Sequence, residues 1–410
     1  MKDELLEDEL LESESMKDKL RVALFTDADV FAGTERHMLD LACGLRAEGA
    51  EVLLACPMPS PLAEKADGAG LAVVPIQKKG LVDWAAVRTL RGLLRAGKVQ
   101  IVHAHNGRTA LASALAVTMA GRGVAVATQH FLEPNHVTQG GAKGRLSHAA
   151  HRWVSQRTTR FIAISEAVRR EMEGRGEAPE GKVVVVPNGL APPEPSRQTS
   201  RAEVRAALGL GADVPLLVCA ARLEREKDVA SLVEAMGHVR ADFPAAVCVV
   251  AGEGTLRPAL AAQIRDGGME SRVRLLGYRA DVLSLINAGD LFVLPSLAEP
   301  FGLVLLEAMA LGKPVIATAA GGPLEIVVPD ETGVLVPPGQ PEALARAITQ
   351  MLARPREMEA LGISARRRFC ERFTAARMAR DTVAVYQGAL RQHALGQRGM
   401  GPRALGRRAA

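Results

Sequence analysis

The chain has 410 residues, of which 48% are apolar, 24% charged and 3% aromatic, and its formal net charge is +5. Its length and composition indicate a globular protein of two domains. No run of about 18 apolar residues occurs without a charge, so no membrane-spanning helix is predicted. The scarcity of aromatic side chains argues against a nucleic-acid partner, because single strands stack on aromatic rings.

Residues 1–20 form an acidic segment with eight carboxylates and three lysines. A signal peptide begins with basic residues, so we expect a cytoplasmic protein. We interpret the segment as a flexible extension, with an interaction helix as the alternative.

Apolar runs alternate with amphipathic stretches along residues 21–190, which we assign to an N-terminal domain. This alternation predicts the strands of a Rossmann-like, doubly wound parallel sheet. The runs are 21–26, 51–55, 71–76, 99–104, 124–129, 160–165 and 182–189.

A Pro- and Ser-rich stretch at 191–200 is typical of a linker. The apolar runs beyond it predict a second Rossmann-like domain over 201–373, and they are 214–222, 245–252, 272–277, 290–296, 313–318 and 332–337. Ligands of such sheets bind at the carboxyl ends of the strands, which here predicts a cleft between the domains. We expect a helix over 374–392 and a basic tail over 393–410.

The segment "AEPFGLVLLEAMALG", residues 298–312, combines an apolar helix with two carboxylates. The helix is predicted to start near Phe301 or Gly302 and to be buried on every face, with Glu307 inside it and Glu299 before it. Carboxylates bind the hydroxyls of sugars, and the free amides of a helix start suit a diphosphate. The alternative is a structural glutamate paired with an arginine.

Two cations and several glycines follow other strands of the second domain. Arg222 ends an apolar run and Lys227 comes five residues later, where they could neutralise a diphosphate or form a solvated surface pair. Gly321 and Gly322 follow the run 313–318 and suit either phosphate oxygens or close backbone packing. Gly252 belongs to a further glycine turn, "AGEGT", which is weak evidence alone.

These motifs resemble the retaining, GT-B fold nucleotide-sugar glycosyltransferases of family 4. The resemblance covers about residues 20–390 and is carried by residues 299–327 with the E-x7-E spacing, "ARLEREKD", "AGEGTLRPAL", "LGYRADVLSLINAGDLFVLPS" and, more loosely, "GTERHMLDLACGL", "IVHAHN", "IAISEAVRR" and "VVVVPNGL". It implies an α/β fold in which two Rossmann-like domains, for acceptor and nucleotide sugar, face each other across a cleft. It also implies that the helix 374–392 crosses back to the N-terminal domain.

The resemblance also implies roles for individual residues. The expected catalytic residues are Arg222 and Lys227 at the diphosphate, Glu299 at the transferred sugar and His130 near the reacting centre. The expected donor-binding residues are Gly33, Gly252, Tyr278, Arg279, Phe301, Gly302, Leu303, Glu307, Gly321 and Gly322. Among these, Glu307 would hold the ribose, and the backbone around Tyr278 and Arg279 would hold the base.

The sequence departs from the family at one loop, "FAGTER", where Ala32 stands in place of the first of two glycines. The triplet "DAD" at 27–29 mimics a metal-binding D-x-D, but it lies in a variable loop after the first strand. His103 and His105 make a poor metal pair, because two ligands alone do not form a stable site. We therefore expect no metal and no cofactor.

The implied activity is retaining transfer of a sugar, from a UDP-sugar, to a hydroxyl of a glycan or lipid-linked acceptor in cell-envelope polysaccharide or glycoconjugate synthesis. The alternatives are a sugar-nucleotide epimerase or phosphorylase of the same fold, and a non-catalytic subunit. A non-catalytic subunit would be expected to lose Glu299, Arg222 or Lys227, and all three are present.

Basic residues accumulate over 143–160, and no acidic residue lies between Glu133 and Glu166. This pattern predicts peripheral contact with the anionic inner face of the cell membrane. The alternative is a solvated basic face.

Overall fold

The structure is a computed structural model that describes residues 19–77, 83–132, 141–179, 181–194 and 199–399, without the side chains of 141–148 and 397–399. Most of the acidic extension, part of the linker and the end of the basic tail therefore lie outside the described residues. The chain divides into two compact units. The first comprises Met1–Ile164, Arg169–Val186 and Ala375–Ala410, and the second comprises Ser165–Val168 and Pro187–Thr374.

Strands and helices alternate along both units. The strands are β1 Arg21–Phe25, β2 Glu51–Pro57, β3 Ala72–Ile76, β4 Ile101–Ala104, β5 Val124–Gln129, β6 Arg160–Ala163, β7 Val183–Val185, β8 Leu216–Ala220, β9 Val247–Ala251, β10 Val273–Gly277, β11 Leu291–Leu294, β12 Val315–Thr318 and β13 Val334–Val336. The helices are α1 Gly33–Ala47, α2 Pro61–Gly68, α3 Trp84–Arg95, α4 Gly107–Ala120, α5 Gly141–Arg157, α6 Glu166–Gly174, α7 Arg201–Ala207, α8 Val229–Val239, α9 Arg257–Asp266, α10 Val282–Ala288, α11 Leu303–Ala310, α12 Pro323–Ile326, α13 Pro341–Leu352, α14 Pro355–Arg372 and α15 Ala375–Gly399. A short 3₁₀ turn, Arg225–Lys227, precedes α8.

Each unit contains one parallel sheet. The first has seven strands in the order β3-β2-β1-β4-β5-β6-β7, and the second has six in the order β10-β9-β8-β11-β12-β13. The strand order reverses between β1 and β4 and between β8 and β11, which is where doubly wound sheets bind ligands. The predicted fold of two Rossmann-like domains is confirmed.

The side chains of β1 pack into two different apolar clusters. Val22 and Leu24 pack into one apolar cluster of the first unit, and Ala23 and Phe25 pack into another. Successive side chains of a strand point to opposite faces, so these clusters lie on the two faces of the sheet. A strand buried on both faces reads as a continuous apolar run, as "RVALF" does.

The last helix, α15, belongs to the first unit and packs against α1. The contact depends on Gly44, where an added Cβ would lie 2.8 Å from the Cβ of Ala379 and 2.9 Å from the carbonyl oxygen of Ala375. Tyr386 of α15 is fully buried in the same cluster as Leu24. None of the helices within the described residues is long and apolar enough to cross a membrane.

Candidate active site

Lys227 and Glu299 form a largely buried ion pair in the second unit. The Nζ of Lys227 lies 2.6 Å from Oε2 of Glu299, and the hydroxyl of Ser296 donates to the same oxygen at 3.2 Å. Only 14% of the lysine side chain and 8% of the glutamate side chain are exposed. Lys227 follows β8 and Glu299 follows β11, and these strands are hydrogen-bonded neighbours. The pair therefore lies at the carboxyl edge of the sheet, next to the reversal of strand order.

The burial of this pair determines what it contributes. Moving two charges out of water costs several kcal/mol per ion, and their mutual attraction only offsets that cost. Removing one partner leaves the other charge buried without a partner, which destabilises the fold by about 3–5 kcal/mol. The ion pair therefore orients Glu299 more than it stabilises the domain.

Arg222 differs from Lys227 because its ion pair faces solvent. Its Nη2 lies 2.6 Å from Oε1 of Glu226, and 66% of the arginine side chain is exposed. An exposed pair contributes about 0–1 kcal/mol, so the guanidinium can leave Glu226 for a better anion at little cost.

The adjacent glycines Gly321 and Gly322 bring another loop against the backbone that carries Glu299. A Cβ on Gly321 would lie 2.2 Å from the carbonyl oxygen of Glu299, and a Cβ on Gly322 would lie 2.3 Å from Cα of Phe301. The amide of Gly322 also donates to the carbonyl of Glu299 at 2.8 Å. The glycine pair therefore allows close backbone packing, and its contact with phosphate oxygens stays a prediction.

Gly252 plays the same part beside Arg222. Its φ of 145° suits glycine, and an added Cβ would lie 1.9 Å from the carbonyl oxygen of Ala221. Two residues on, a Cβ at Gly254 would lie 2.4 Å from the carbonyl oxygen of Leu223. The "AGEG" turn therefore supports the loop of Arg222 through its backbone.

Helix α11 starts at the glycine predicted to open it. Gly302 precedes the helix with a φ of 106°, a conformation that an L side chain rarely adopts, and no side chain caps the helix. The helix start, with its free backbone amides and the positive end of the helix dipole, thus follows Glu299 by only a few residues in the chain. Phe301 is buried, with its ring centroid 6.1 Å from that of Phe373, so its ring belongs to the core.

The prediction that Glu307 is buried is wrong. Leu303, Val304 and Glu307 are each partly exposed, whereas Leu305 and Leu306 are buried. These positions share one face of α11, because residues three and four apart on a helix are neighbours. This partly exposed face of α11, called the half-open face below, carries Glu307. It could not be predicted because the helix is apolar on nearly every position.

The residues predicted around a base lie after β10, the edge strand of the second sheet. Tyr278 is 79% exposed, and the guanidinium of Arg279 contacts the carboxylate of Asp281 at 2.6 and 2.8 Å. Gly277 ends β10 with a φ of 74°. Tyr278 therefore faces solvent at this edge, and the arginine is held by a local pair.

In the first unit, His130 belongs to a cluster of three buried histidines. Its Nε2 lies 3.2 Å from Nδ1 of His105, and its ring centroid lies 4.8 Å from that of His37. Burial lowers the pKa of His105 and of His130 well below the usual value, because desolvation disfavours the charged ring. The sequence did not single out His37, although it lies four residues after Gly33 in the motif "GTERHMLDLACGL".

His103 lies beside this cluster but has other partners. Its Nδ1 and Nε2 lie 2.7 Å from the hydroxyls of Tyr386 and Thr128 respectively. Burial lowers the pKa of His103 to about 3, so the ring is neutral at physiological pH. His103 and His105, two residues apart on the chain, thus have different surroundings.

The loop after β1 explains two features of the sequence. Ala32 has a φ of −133°, extended backbone that any residue adopts, so the missing glycine causes no strain before Gly33. Asp27 accepts a hydrogen bond from Nδ2 of Asn106 at 2.8 Å and pairs with Nε of Arg108 at 2.9 Å. Asp27 therefore ties this loop to the start of α4.

Two parallel sheets with polar side chains gathered at strand ends define a doubly wound, Rossmann-like architecture, and comparison with known proteins identifies the family. Residues 31–192 match the family described as Glycosyltransferase Family 4, and residues 200–368 match Glycosyl transferases group 1. An alpha-maltose-1-phosphate synthase of Mycobacterium tuberculosis is 31% identical over 399 residues, covering 90% of this chain and 99% of the relative. The chain belongs to glycosyltransferase family 4 and is a glycosyltransferase.

Two further matches extend this comparison. An uncharacterized glycosyltransferase of Methanocaldococcus jannaschii is 27% identical over 380 residues, covering 88% of this chain and 95% of the relative. The crystal structure of HepE from Anabaena in complex with UDP-glucose matches with a TM-score of 0.75 at 22% identity, covering 92% of this chain and all of that one. This last likeness supports the GT-B fold.

Proposed function

We propose that the protein is a retaining glycosyltransferase that moves a sugar from a UDP-sugar to a hydroxyl of a glycan or lipid-linked acceptor. The reaction would serve cell-envelope polysaccharide or glycoconjugate synthesis. The observation that carries the proposal is the buried pair of Lys227 and Glu299 at the carboxyl edge of the second sheet. A carboxylate oriented in this way is suited to accept hydrogen bonds from sugar hydroxyls.

The donor is proposed to lie along the loops that follow the strands of the second unit. Glu299 binds the sugar, and Arg222 and Lys227 bind the diphosphate together with the amides of residues 301–303. Arg222 can exchange Glu226 for phosphate because both groups are exposed, whereas Lys227 can stay in contact with Glu299. Glu307 binds the ribose from the half-open face of α11.

The base would contact the backbone near Tyr278 and Arg279, beside the exposed Tyr278. Gly252, Gly321 and Gly322 act by letting the loops pack closely, as their backbone contacts require. The roles of His130 and Gly33 near the reacting centre stay predictions.

The chemistry is substitution at the anomeric carbon. The bond from that carbon to the diphosphate oxygen breaks, a bond to the acceptor oxygen forms on the same face, and the acceptor proton passes to the departing diphosphate. Negative charge builds on the diphosphate as its bond breaks, and the two cations with the helix-start amides stabilise it. None of these steps requires a metal, so we propose metal-independent transfer.

The comparisons support the substrate class of the donor. The Mycobacterium tuberculosis relative is named as a synthase of a maltose phosphate, and the Anabaena neighbour was solved with UDP-glucose. These names favour a hexosyl donor carried on UDP.

We also propose that the protein works in the cytoplasm and touches the anionic inner face of the membrane through residues 143–160. Arg152 and Arg157 are exposed, and the guanidinium of Arg157 lies 5.3 Å from the ring centre of Trp153. Each basic residue near an anionic surface contributes about 1 kcal/mol. Sedimentation with anionic vesicles at low salt should be lost at high salt, and an absence of binding at both would contradict the contact.

The function is tested by measuring release of nucleoside diphosphate from a panel of UDP- and GDP-sugars, with lipid-linked and with soluble acceptors. The proposal predicts release from a UDP-hexose that rises when the right acceptor is added, and a product with the donor's anomeric configuration. Release from no donor would favour the non-catalytic subunit. Conversion of the sugar without transfer to an acceptor hydroxyl would favour an epimerase.

A further inference from the structure

The loop between β8 and α8 carries both cations proposed for the diphosphate, and another side chain of this loop binds it to a neighbouring turn. Glu224 lies between Arg222 and Lys227 in the loop. Its Oε1 accepts the backbone N–H of Thr255 at 2.9 Å, and its Oε2 accepts the hydroxyl of Thr255 at 2.6 Å. Both oxygens of Glu224 are therefore bonded to one residue of the "AGEGT" turn, residues 251–255.

Backbone hydrogen bonds join the same two segments just before Glu224. The amide of Leu223 donates to the carbonyl of Glu253 at 2.9 Å, and the amide of Leu256 donates to the carbonyl of Leu223 at 2.9 Å. The carboxylate of Glu224 extends this pairing by one residue through a side chain. The start of the loop, which includes Arg222, is thus fixed against the turn.

The 3₁₀ turn that contains Lys227 starts from Glu224. Glu224 is the N-cap residue of this turn, and its carbonyl accepts the amide of Lys227 at 3.0 Å. The carbonyl of Glu226 accepts the amide of Leu297, two residues before Glu299, at 2.9 Å. Glu224 therefore fixes the start of the turn, and Glu226 fixes its end beside the segment that carries Glu299.

The residue after Lys227 shows that surrounding contacts determine the backbone of the loop. Asp228 has a φ of 45°, in the left-handed region that favours glycine. A non-glycine residue in this region costs about 1–3 kcal/mol and persists only where its surroundings hold it. The hydroxyl of Ser231 donates to Oδ2 of Asp228 at 2.7 Å on one side, and the contacts of Glu224 hold the segment on the other side.

We propose that Glu224 is a positioning residue, which holds Arg222 and Lys227 where both contact the diphosphate of the donor. This inference rests on the role of the two cations in the proposed function. Glu224 acts through Thr255 and not by touching the donor. Displacing a catalytic group by about 1 Å can lower a rate about a hundredfold, so a contact that fixes this loop affects turnover.

The protonation of Glu224 agrees with this role. The hydrogen bonds from the hydroxyl and from the amide of Thr255 lower the pKa of Glu224. The carboxylate is therefore ionised at physiological pH, and both of its oxygens are available as acceptors.

Glu203 offers a matched control, because it makes the same kinds of bond elsewhere in the second unit. Its Oε2 accepts the N–H of Ser200 at 3.0 Å and the hydroxyl of Ser200 at 2.7 Å. These bonds lower the pKa of Glu203, as the bonds to Thr255 do for Glu224. Glu203 lies in the first turn of α7, so Glu203→Ala removes such bonds without loosening the loop of the two cations.

The experiment measures turnover at saturating donor, the dissociation constant of UDP by calorimetry, and the melting temperature as a check of folding. Glu224→Ala should lower turnover about tenfold and weaken the binding of UDP. Glu224→Gln should recover both, because its side-chain amide can accept the N–H of Thr255 and donate to its hydroxyl. Glu203→Ala should keep the turnover and the UDP affinity of the parent.

A second pair of variants covers the case in which Glu224→Ala does not fold. Thr255→Val removes only the hydroxyl bond and should lower turnover, whereas Thr255→Ser keeps the bond and should not. Equal turnover in these two variants would contradict the positioning role.

The outcomes separate this inference from the proposed function. Parent-like turnover and UDP binding in folded Glu224→Ala, or an equal loss in Glu224→Gln, would overturn the positioning role and leave the proposed function intact. Release of UDP from no donor would contradict the proposed function, and the UDP titration would then decide on Glu224. Weaker binding in Glu224→Ala that Glu224→Gln restores would support the role, and a parent that does not bind UDP would overturn it.

Discussion

Replacing Lys227 with methionine tests whether the ion pair with Glu299 has the properties that its burial implies. Methionine keeps the bulk of the lysine stem but removes its charge, which leaves the carboxylate of Glu299 buried beside Ser296. Breaking a buried pair in this way costs about 3 kcal/mol, at the low end of the usual range because 14% of the lysine side chain is exposed. For a domain of this size, that loss lowers the melting temperature by about 6–12 °C.

The assay is thermal unfolding of the parent, of Lys227→Met and of two further variants. Arg222→Met is the matched control, since its pair with Glu226 is largely exposed and contributes about 0–1 kcal/mol. The double variant Lys227→Met with Glu299→Gln leaves no buried charge without a partner and should recover much of the lost stability. Equal melting temperatures for Lys227→Met and Arg222→Met, or no recovery in the double variant, would refute the reasoning.

Three further predictions concern backbone packing, the donor and pH. Gly321→Ala should destabilise the second unit in denaturant titrations, because its Cβ would meet the carbonyl of Glu299. Gly237→Ala, which has open space within α8, should instead stabilise the unit by about 0.5–1 kcal/mol. Equal effects of the two substitutions would contradict the packing. Glu307→Ala should raise the dissociation constant for UDP-sugar in calorimetry while changing turnover at saturation less than Arg222→Ala does, and unchanged affinity would remove Glu307 from the site. The free energy of unfolding should fall as pH drops from about 6.5 towards 3, because His103 is protonated in the unfolded chain and not in the folded chain. His103→Gln should reduce the dependence of this free energy on pH by about 1.4 kcal/mol per pH unit. An unchanged dependence would count against the buried neutral ring.

The strands could be predicted from the sequence because strands buried on both faces are continuous apolar runs, as "LLVCA" in β8 shows. The general location of Arg222, Lys227 and Glu299 followed from the same reasoning, since ligand sites of parallel sheets lie at carboxyl ends. Local patterns carry these features, so one sequence suffices for them.

Contacts between distant residues could not be predicted in the same way. Lys227 and Glu299 are 72 residues apart and meet only because β8 pairs with β11. The half-open face of α11, which carries Glu307, depends on what packs around the helix and leaves no trace in its own composition. His37 joins the histidine cluster through the packing of α1, for the same reason.

The most direct test of the central claim is UDP release from the active donor by the parent and by Lys227→Ala at saturating donor. At least a tenfold lower turnover is expected in the variant, with donor binding still measurable by calorimetry, because Lys227 is proposed to stabilise the charge that develops as the diphosphate departs. Turnover equal to the parent's in the folded variant would contradict the account.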